Sequence, residues 1–365
     1  MSTESGAVSA VKRERERILR LDFECLRSLP EGINEVRLWW DPLLRCHRVG
    51  KRIDISAIEH DDALPEPATL QMIDHPNVLK VVAAARIDGY PSPMQVVELV
   101  TPYLPRGSIT DALFRGEKFV ASEGVAIVQA ALRGIAELHE VHAVAHRDVK
   151  SGNILLADDH TVAKVADMGL AGLFNDSGEA PALNNPTLYS PPELVQSGIL
   201  TRSSDLYPLA LVLRELLGGA FPYPDYPMSA VQGRLLRGLS PVRNCDLALP
   251  IWTSRSIRRI INKASSRVPA QRFQTAREMD DALAAAAVVD WTATDEGRWE
   301  APFVHRGGLA IRVEATEKRT GSVLQTKVNR GQGWRRAAPD MTVPRLDSAA
   351  TRRVFDHATD IATAR

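Results

Sequence analysis

The run His146-Arg147-Asp148-Val149-Lys150-Ser151-Gly152-Asn153 puts a carboxylate, an ammonium and an amide into one short loop. Asp148 can accept the proton of an attacking hydroxyl, Lys150 can steady a moving phosphoryl group, and Asn153 can hold a magnesium ion. After the apolar run Ile154-Leu155-Leu156, the segment Val165-Ala166-Asp167-Met168-Gly169 adds a second hard oxygen ligand, Asp167. A lone carboxylate would carry no such meaning. Together these groups can pass a phosphoryl group to a hydroxyl.

Such groups need a rigid platform. Val125, Val128, Leu132, Ile135 and Leu138 recur at helical spacing, with Ser122 available as the N-cap and Glu123 in the first turn, so a buried scaffold helix precedes the loop. The run from Asp205 is apolar almost all round and ends at Gly218 or Gly219, as expected for a helix at the centre of a lobe, with Pro208 early in it. Upstream, Arg48-Val49-Gly50-Lys51 reads as a strand. In this order, over roughly residues 20–287, the motifs resemble those of the eukaryotic-type (Hanks-type) serine/threonine protein kinases.

The resemblance implies an α+β, two-lobed fold: a small, mostly antiparallel β N-lobe (21–101) and a large helical C-lobe (104–287). It implies that Asp148 is the catalytic base and that Asn153 and Asp167 bind Mg2+ or Mn2+. Lys51 grips the phosphates of ATP with Glu66 as its ion-pair partner, in a helix kept short by Pro65 and Pro67. Gly32, Val36, Val49, Thr101 (as gatekeeper), Tyr103 and Leu155 surround the nucleotide, and Lys150 marks the serine/threonine form of the loop. Glu193, in Tyr189-Ser190-Pro191-Pro192-Glu193, pairs with Arg272, and Asp205 supports the catalytic loop. Arg147 points to control by phosphorylation, with Ser177, Thr187, Tyr189 and Ser190 as the available acceptors, Ser177 foremost.

Two departures stand out. The phosphate-covering run Leu29-Pro30-Glu31-Gly32-Ile33-Asn34-Glu35-Val36 keeps one glycine and is one residue short, and Met168 replaces the usual phenylalanine. The first departure opens an alternative, a pseudokinase scaffold with weak or absent nucleotide binding. A small-molecule kinase of the aminoglycoside-phosphotransferase type is a third reading, opposed by Glu193, Asp205 and Arg272.

Outside the kinase-like region, residues 1–20 read as a charged helix with a solvated face. Residues 292–336 read as a small antiparallel sheet with strands near Trp299–Val304, Leu309–Glu314 and Val323–Val328, followed in 337–365 by a linker and a helix from Asp347 to Thr363. Nine Lys or Arg against five Asp or Glu in 292–336 is a slight excess, which favours a protein partner over nucleic acid. Over the 365 residues, 45 basic side chains balance 45 acidic ones, so nothing suggests a chain built to bind nucleic acid or membrane. Three scattered cysteines suit a reducing compartment, and with no signal or membrane span in the sequence the expected location is the cytoplasm.

Overall fold

The computed structural model describes residues 21–29, 36–54, 71–157, 163–295 and 297–364. Gly32, Glu66 and the expected helix in 1–20 lie outside the described residues.

Five antiparallel strands, β1 (Glu24–Leu29), β2 (Val36–Asp41), β3 (Cys46–Asp54), β4 (Ala83–Ile87) and β5 (Val96–Pro102), form the first sheet in the order β1-β2-β3-β5-β4. Asp41 closes the β2–β3 hairpin, its Oδ1 accepting from the N–H groups of Leu43 (3.1 Å) and Leu44 (3.0 Å). Register then decides which side chains share a face: Val36 lies opposite Lys51, Lys51 opposite Leu99, and Val49 opposite Thr101. On the other face the buried Glu98 accepts from Arg52 Nε at 2.9 Å and from the Trp39 indole. A methyl group at position 50 would overlap both the Glu98 carboxylate and the Trp39 ring, so glycine is needed just before Lys51.

The C-lobe contains α1 (Ile109–Phe114), α2 (Ala121–Ala136), α3 (Glu193–Gln196), α4 (Arg202–Gly218), α5 (Met228–Leu236), α6 (Arg255–Ala264) and α7 (Ala276–Ala284), with three short strand pairs between α2 and α4: β6 (Val144–Ala145) with β9 (Gly172–Leu173), β7 (Ile154–Leu156) with β8 (Ala163–Val165), and β10 (Glu179–Pro181) with β11 (Ile199–Thr201). Helix α2 is buried along the expected stripe, but its N-cap is Val120, whose N–H donates to Glu123 Oε2 at 3.1 Å. Ser122 is a correction to the sequence reading. It lies inside the first turn and gives its N–H (2.8 Å) and hydroxyl (2.7 Å) to Asp290, 168 residues away, a partner no local pattern reveals. Helix α4 begins one turn before Asp205, because Ser204 and Thr201 form its cap, with the Thr201 N–H donating to Ser204 Oγ at 3.0 Å. It is buried on nearly every side and stops where Gly219 turns left-handed, φ 87°.

Glu193 and Arg272 meet as a two-bonded pair, Nη1–Oε1 2.6 Å and Nη2–Oε2 2.7 Å, with Arg272 buried over the Tyr207 ring. Ser204 Oγ donates to Glu193 Oε1 (2.8 Å) and Arg272 Nε to the Ser266 carbonyl (2.7 Å), so both charges are satisfied where water is excluded.

Helix α7 ends at Ala284, and Val289 and Trp291 beyond it belong to a second core. That core is covered by a six-stranded antiparallel sheet, β12 (Thr292–Asp295), β13 (Arg298–Pro302), β14 (Ala310–Lys318), β15 (Gly321–Asn329), β16 (Trp334–Arg336) and β17 (Met341–Val343), and by α8 (Ala349–Thr363). The three extra strands are short edges; β12 is exposed throughout and so shows no alternation. Phe355 of α8 is the centre, with the rings of Trp291 and Trp299 edge-on at 5.2 and 5.3 Å. Arg258 of α6 holds Asp356 of α8 through both carboxylate oxygens at 2.9 and 2.7 Å, joining this unit to the C-lobe.

Replacing Arg272 with alanine leaves Glu193 buried without its counter-charge. The unfolding free energy, measured by urea titration, should fall by ~3–5 kcal/mol. Arg277→Ala, which breaks an exposed pair with Glu140, should leave the midpoint essentially unchanged.

Candidate active site

Two adjacent strands, β7 (Ile154–Leu156) and β8 (Ala163–Val165), pair with Ile154 opposite Val165. This ribbon brings the residue before β7, Asn153, alongside the residues after β8, Ala166 and Asp167. The Ala166 N–H donates to the Asn153 carbonyl at 2.8 Å, and His146 Nε2 donates to the Ala166 carbonyl at 3.0 Å, stitching the two loops together.

The loop that carries Asp148 is held from below by one carboxylate. Arg147 is left-handed, φ 65°, and there the chain turns so that the N–H groups of His146 and Arg147 reach Asp205 Oδ2 (2.8 Å) and Oδ1 (2.9 Å). His139 Nε2, on the turn after α2, donates to Asp205 Oδ2 at 2.8 Å. Burial alone would raise the Asp205 carboxyl, but the hydrogen bond and charge of His139 and the backbone N–H outweigh it and hold it below its ordinary value.

Asp148, itself buried, accepts from Lys150 Nζ at 2.7 Å and from Asn153 Nδ2 at 3.0 Å through Oδ2. Asn153 Nδ2 also reaches the Asp148 carbonyl at 2.8 Å, so its nitrogen is committed and its oxygen is left for another ligand. Asp167, left-handed at φ 63°, takes the Gly169 N–H on Oδ1 (3.2 Å) and Lys51 Nζ on Oδ2 (2.6 Å). Burial opposes its ionisation, yet the Lys51 charge and hydrogen bond keep it below the usual carboxylate value. The free amide oxygen of Asn153 and the anionic carboxylate of Asp167 form a hard-oxygen donor set that suits a magnesium ion.

A cavity of about 570 Å3 opens between the two lobes. Val36, Val49, Thr101, Tyr103 and Leu155 line it, together with Lys51, Asn153 and Asp167. Lys51 thus meets Asp167, while Glu66, its expected partner, lies outside the described residues.

Other groups were not foreseen. Arg27 of β1 lines the cavity. A buried cluster beside the catalytic loop joins Thr110, Ser151, Tyr189, Tyr223 and Glu215: Ser151 Oγ lies 2.8 Å from Thr110 Oγ1 and 2.5 Å from Tyr189 OH, and both tyrosines donate to Glu215, at 2.5 and 2.6 Å. Burial raises the Glu215 carboxyl despite these donors. The sequence signal was Glu215, beside Arg214 in an otherwise apolar run of the helix. Among the four expected phosphate acceptors, Tyr189 and Ser190 are buried, Thr187 binds Ser190 in a tight turn, and Ser177 is exposed.

Against known proteins, the family profile of the protein kinase domain matches residues 45–283. The chain is 34% identical over 176 residues to a probable serine/threonine-protein kinase, PBL15, of Arabidopsis thaliana, covering 46% of this chain and 40% of that one. It is 28% identical over 214 residues to serine/threonine-protein kinase 12 of the same plant (56% and 44% covered). It is 25% identical over 218 residues to the serine/threonine-protein kinase PrkC of Bacillus subtilis (59% and 32%). The chain therefore spans less than half the length of these relatives.

The lowered Asp205 carboxyl has a pH consequence. Its contribution to stability is complete above its unfolded value of 3.8 and disappears as the pH falls through the lower folded value. Asp205→Asn should be less stable at pH 7 and should lose less stability than the parent between pH 5 and 2, read from urea midpoints across that range.

Proposed function

The chain belongs to the protein kinase family, and on that premise we propose that it transfers the γ-phosphoryl group of ATP to a serine or threonine hydroxyl of a protein. The observation that carries this reading is the catalytic loop: Asp148 held by Lys150 at 2.7 Å and Asn153 at 3.0 Å beside a cleft lined by Lys51 and Asp167. In this reading the adenine lies among Val36, Val49, Thr101, Tyr103 and Leu155, and Lys51 takes up the phosphates. Asp148 orients the acceptor hydroxyl and receives its proton, while Lys150, already at that carboxylate, offsets charge on the group in transit. Asn153 and Asp167 would hold a magnesium or manganese ion, whose charge offsets that of the phosphates. Lys150, in the serine/threonine form of the loop, supports the acceptor class.

A scaffold with weak nucleotide binding is the second reading. The single glycine of the phosphate-covering run favours it, as does the direct Lys51–Asp167 bond, which occupies both a phosphate ligand and a metal ligand.

For the C-terminal sheet we infer a protein contact in preference to nucleic acid. Several of its cations are neutralised within the sheet: Arg312 pairs with Glu300 at 2.7 Å and lies 3.9 Å over the Trp334 ring, and Lys327 pairs with Glu314. Among the described residues no helix is long and apolar enough to cross a membrane. The free cysteines Cys25, Cys46 and Cys245 support a reducing compartment, the cytoplasm.

Transfer of labelled γ-phosphate to the chain itself and to a generic basic protein tests the main reading. Asp148→Asn should lower the rate ~10²–10⁴-fold with the urea midpoint preserved, and Lys51→Ala should also abolish most transfer. Undiminished label in both variants would rule out these roles. No label from the parent protein would select the scaffold.

A further inference from the structure

We propose that Arg27 is a phosphate-contacting residue of the nucleotide cleft, taking over on β1 part of the work that a glycine-rich loop performs with backbone amides. The inference rests on the reading that the cleft binds ATP.

The first observation is the register of β1 on β2. Cys25 lies opposite Trp39, Arg27 opposite Leu38 and Leu29 opposite Val36, so one extra residue, Leu26, is inserted between Cys25 and Arg27. Unbroken alternation from Cys25 would place Leu26 opposite Leu38 and send Arg27 to the outer face with Trp39. The bulge exchanges the two, and an arginine enters the cavity wall where an aliphatic side chain would otherwise stand. Arg27 heads a row running through Leu38 and Val49 to Thr101, next to the row that contains Val36, Lys51 and Leu99. Two residues of strand separate the rows, ~7 Å, a span that an extended arginine side chain covers.

The second observation is the distribution of charge around the cleft. Among the described residues its lining has three cations, Arg27, Lys51 and Arg115. Lys51 is bound to Asp167 at 2.6 Å. Arg115 is bound to Glu117 at 2.7 Å and to the Arg106 carbonyl at 2.8 Å. Asp111, also in the lining, gives one carboxylate oxygen to the N–H and hydroxyl of Ser108, both at 2.8 Å. Among the described residues, none forms a hydrogen bond or ion pair with Arg27. Among the described cations of the cleft, its guanidinium is the one still available to an anionic ligand.

The third observation lies in the sequence. The segment joining β1 to β2 holds one glycine, Gly32, and two carboxylates, Glu31 and Glu35. Fewer close backbone N–H donors and added negative charge both weaken phosphate binding, and a guanidinium, with its planar fork of donors, offsets both. The ligand class is a nucleoside di- or triphosphate, recognised through its phosphates and not through its base.

Isothermal titration of the full chain with ATP, ADP and adenosine in magnesium buffer, beside Arg27→Gln and Arg27→Lys, tests this. Arg27→Gln should bind ATP about tenfold more weakly while adenosine binds unchanged, and Arg27→Lys should recover part of the loss. Unchanged ATP affinity in Arg27→Gln overturns the proposal, as does an equal loss for adenosine, which would make Arg27 a support of the cavity wall. A parent protein that binds neither ATP nor ADP overturns the nucleotide reading itself, a result distinct from either.

Discussion

Everything at the Asp148 loop depends on one buried carboxylate. Asp205 collects the N–H groups of His146 and Arg147 and the ring of His139, three donors from two different parts of the chain. Without it, two adjacent peptide N–H groups would point into an apolar lobe with nothing to receive them, at a cost of about 1–3 kcal/mol each. With it, the left-handed turn at Arg147 is held in place, and Asp148 follows directly from that turn. Helix α4, which carries Asp205, is buried on nearly every side, so the anchor is as immobile as the core itself. The geometry of the Asp148 loop is inherited from core packing.

A second buried carboxylate, Glu215, lies ten positions further along the same helix and does for the segment that ends in Tyr189-Ser190-Pro191-Pro192-Glu193 what Asp205 does for the loop. It receives Tyr189 and Tyr223, and through Tyr189 it touches Ser151 of the catalytic loop. Glu193, bound to Arg272, fixes the end of that segment. Three acids thus join α4, the loop and the segment, each in a different state: Asp205 readily ionised by its donors, Glu193 neutralised by a cation, and Glu215 pushed by burial toward its protonated form. On the cleft side, Lys51 rests on Asp167 in the wall of the cavity.

The loop residues were legible because their chemistry is written in consecutive positions: Asp148, Lys150 and Asn153 share one turn, and the paired strands that bring Asp167 beside them follow at once. The apolar stripe of α2 and the all-round burial of α4 were legible for the same reason, being local and periodic. The Tyr189–Glu215–Ser151 cluster was not, since its members stand 26 and 38 residues apart and meet only through the tertiary fold. Arg27 escaped because a bulge inverts the alternation by which strand faces are read. Ser122 looked like a cap by type, but Asp290 claimed it, and nothing local to Ser122 hints at Asp290. The short edge strands β12, β16 and β17 lack the length over which a period can be seen.

The contacts that tie the C-terminal sheet to the C-lobe bear on how the protein is made. Ser122 finds its partner 168 residues later, at Asp290, and Arg258 finds Asp356 98 residues later, on α8. A chain emerging from the ribosome at its N-terminal end has α2 and α6 long before either acid exists. Until α8 arrives, Arg258 is a cation without its counter-charge, and Trp291 and Trp299 have no Phe355 to close on. The contacts between the large lobe and the C-terminal unit are consequently completed only once α8 has been made. Translation speed through residues 290–356 therefore sets how long an incomplete lobe is exposed to chaperones and proteases.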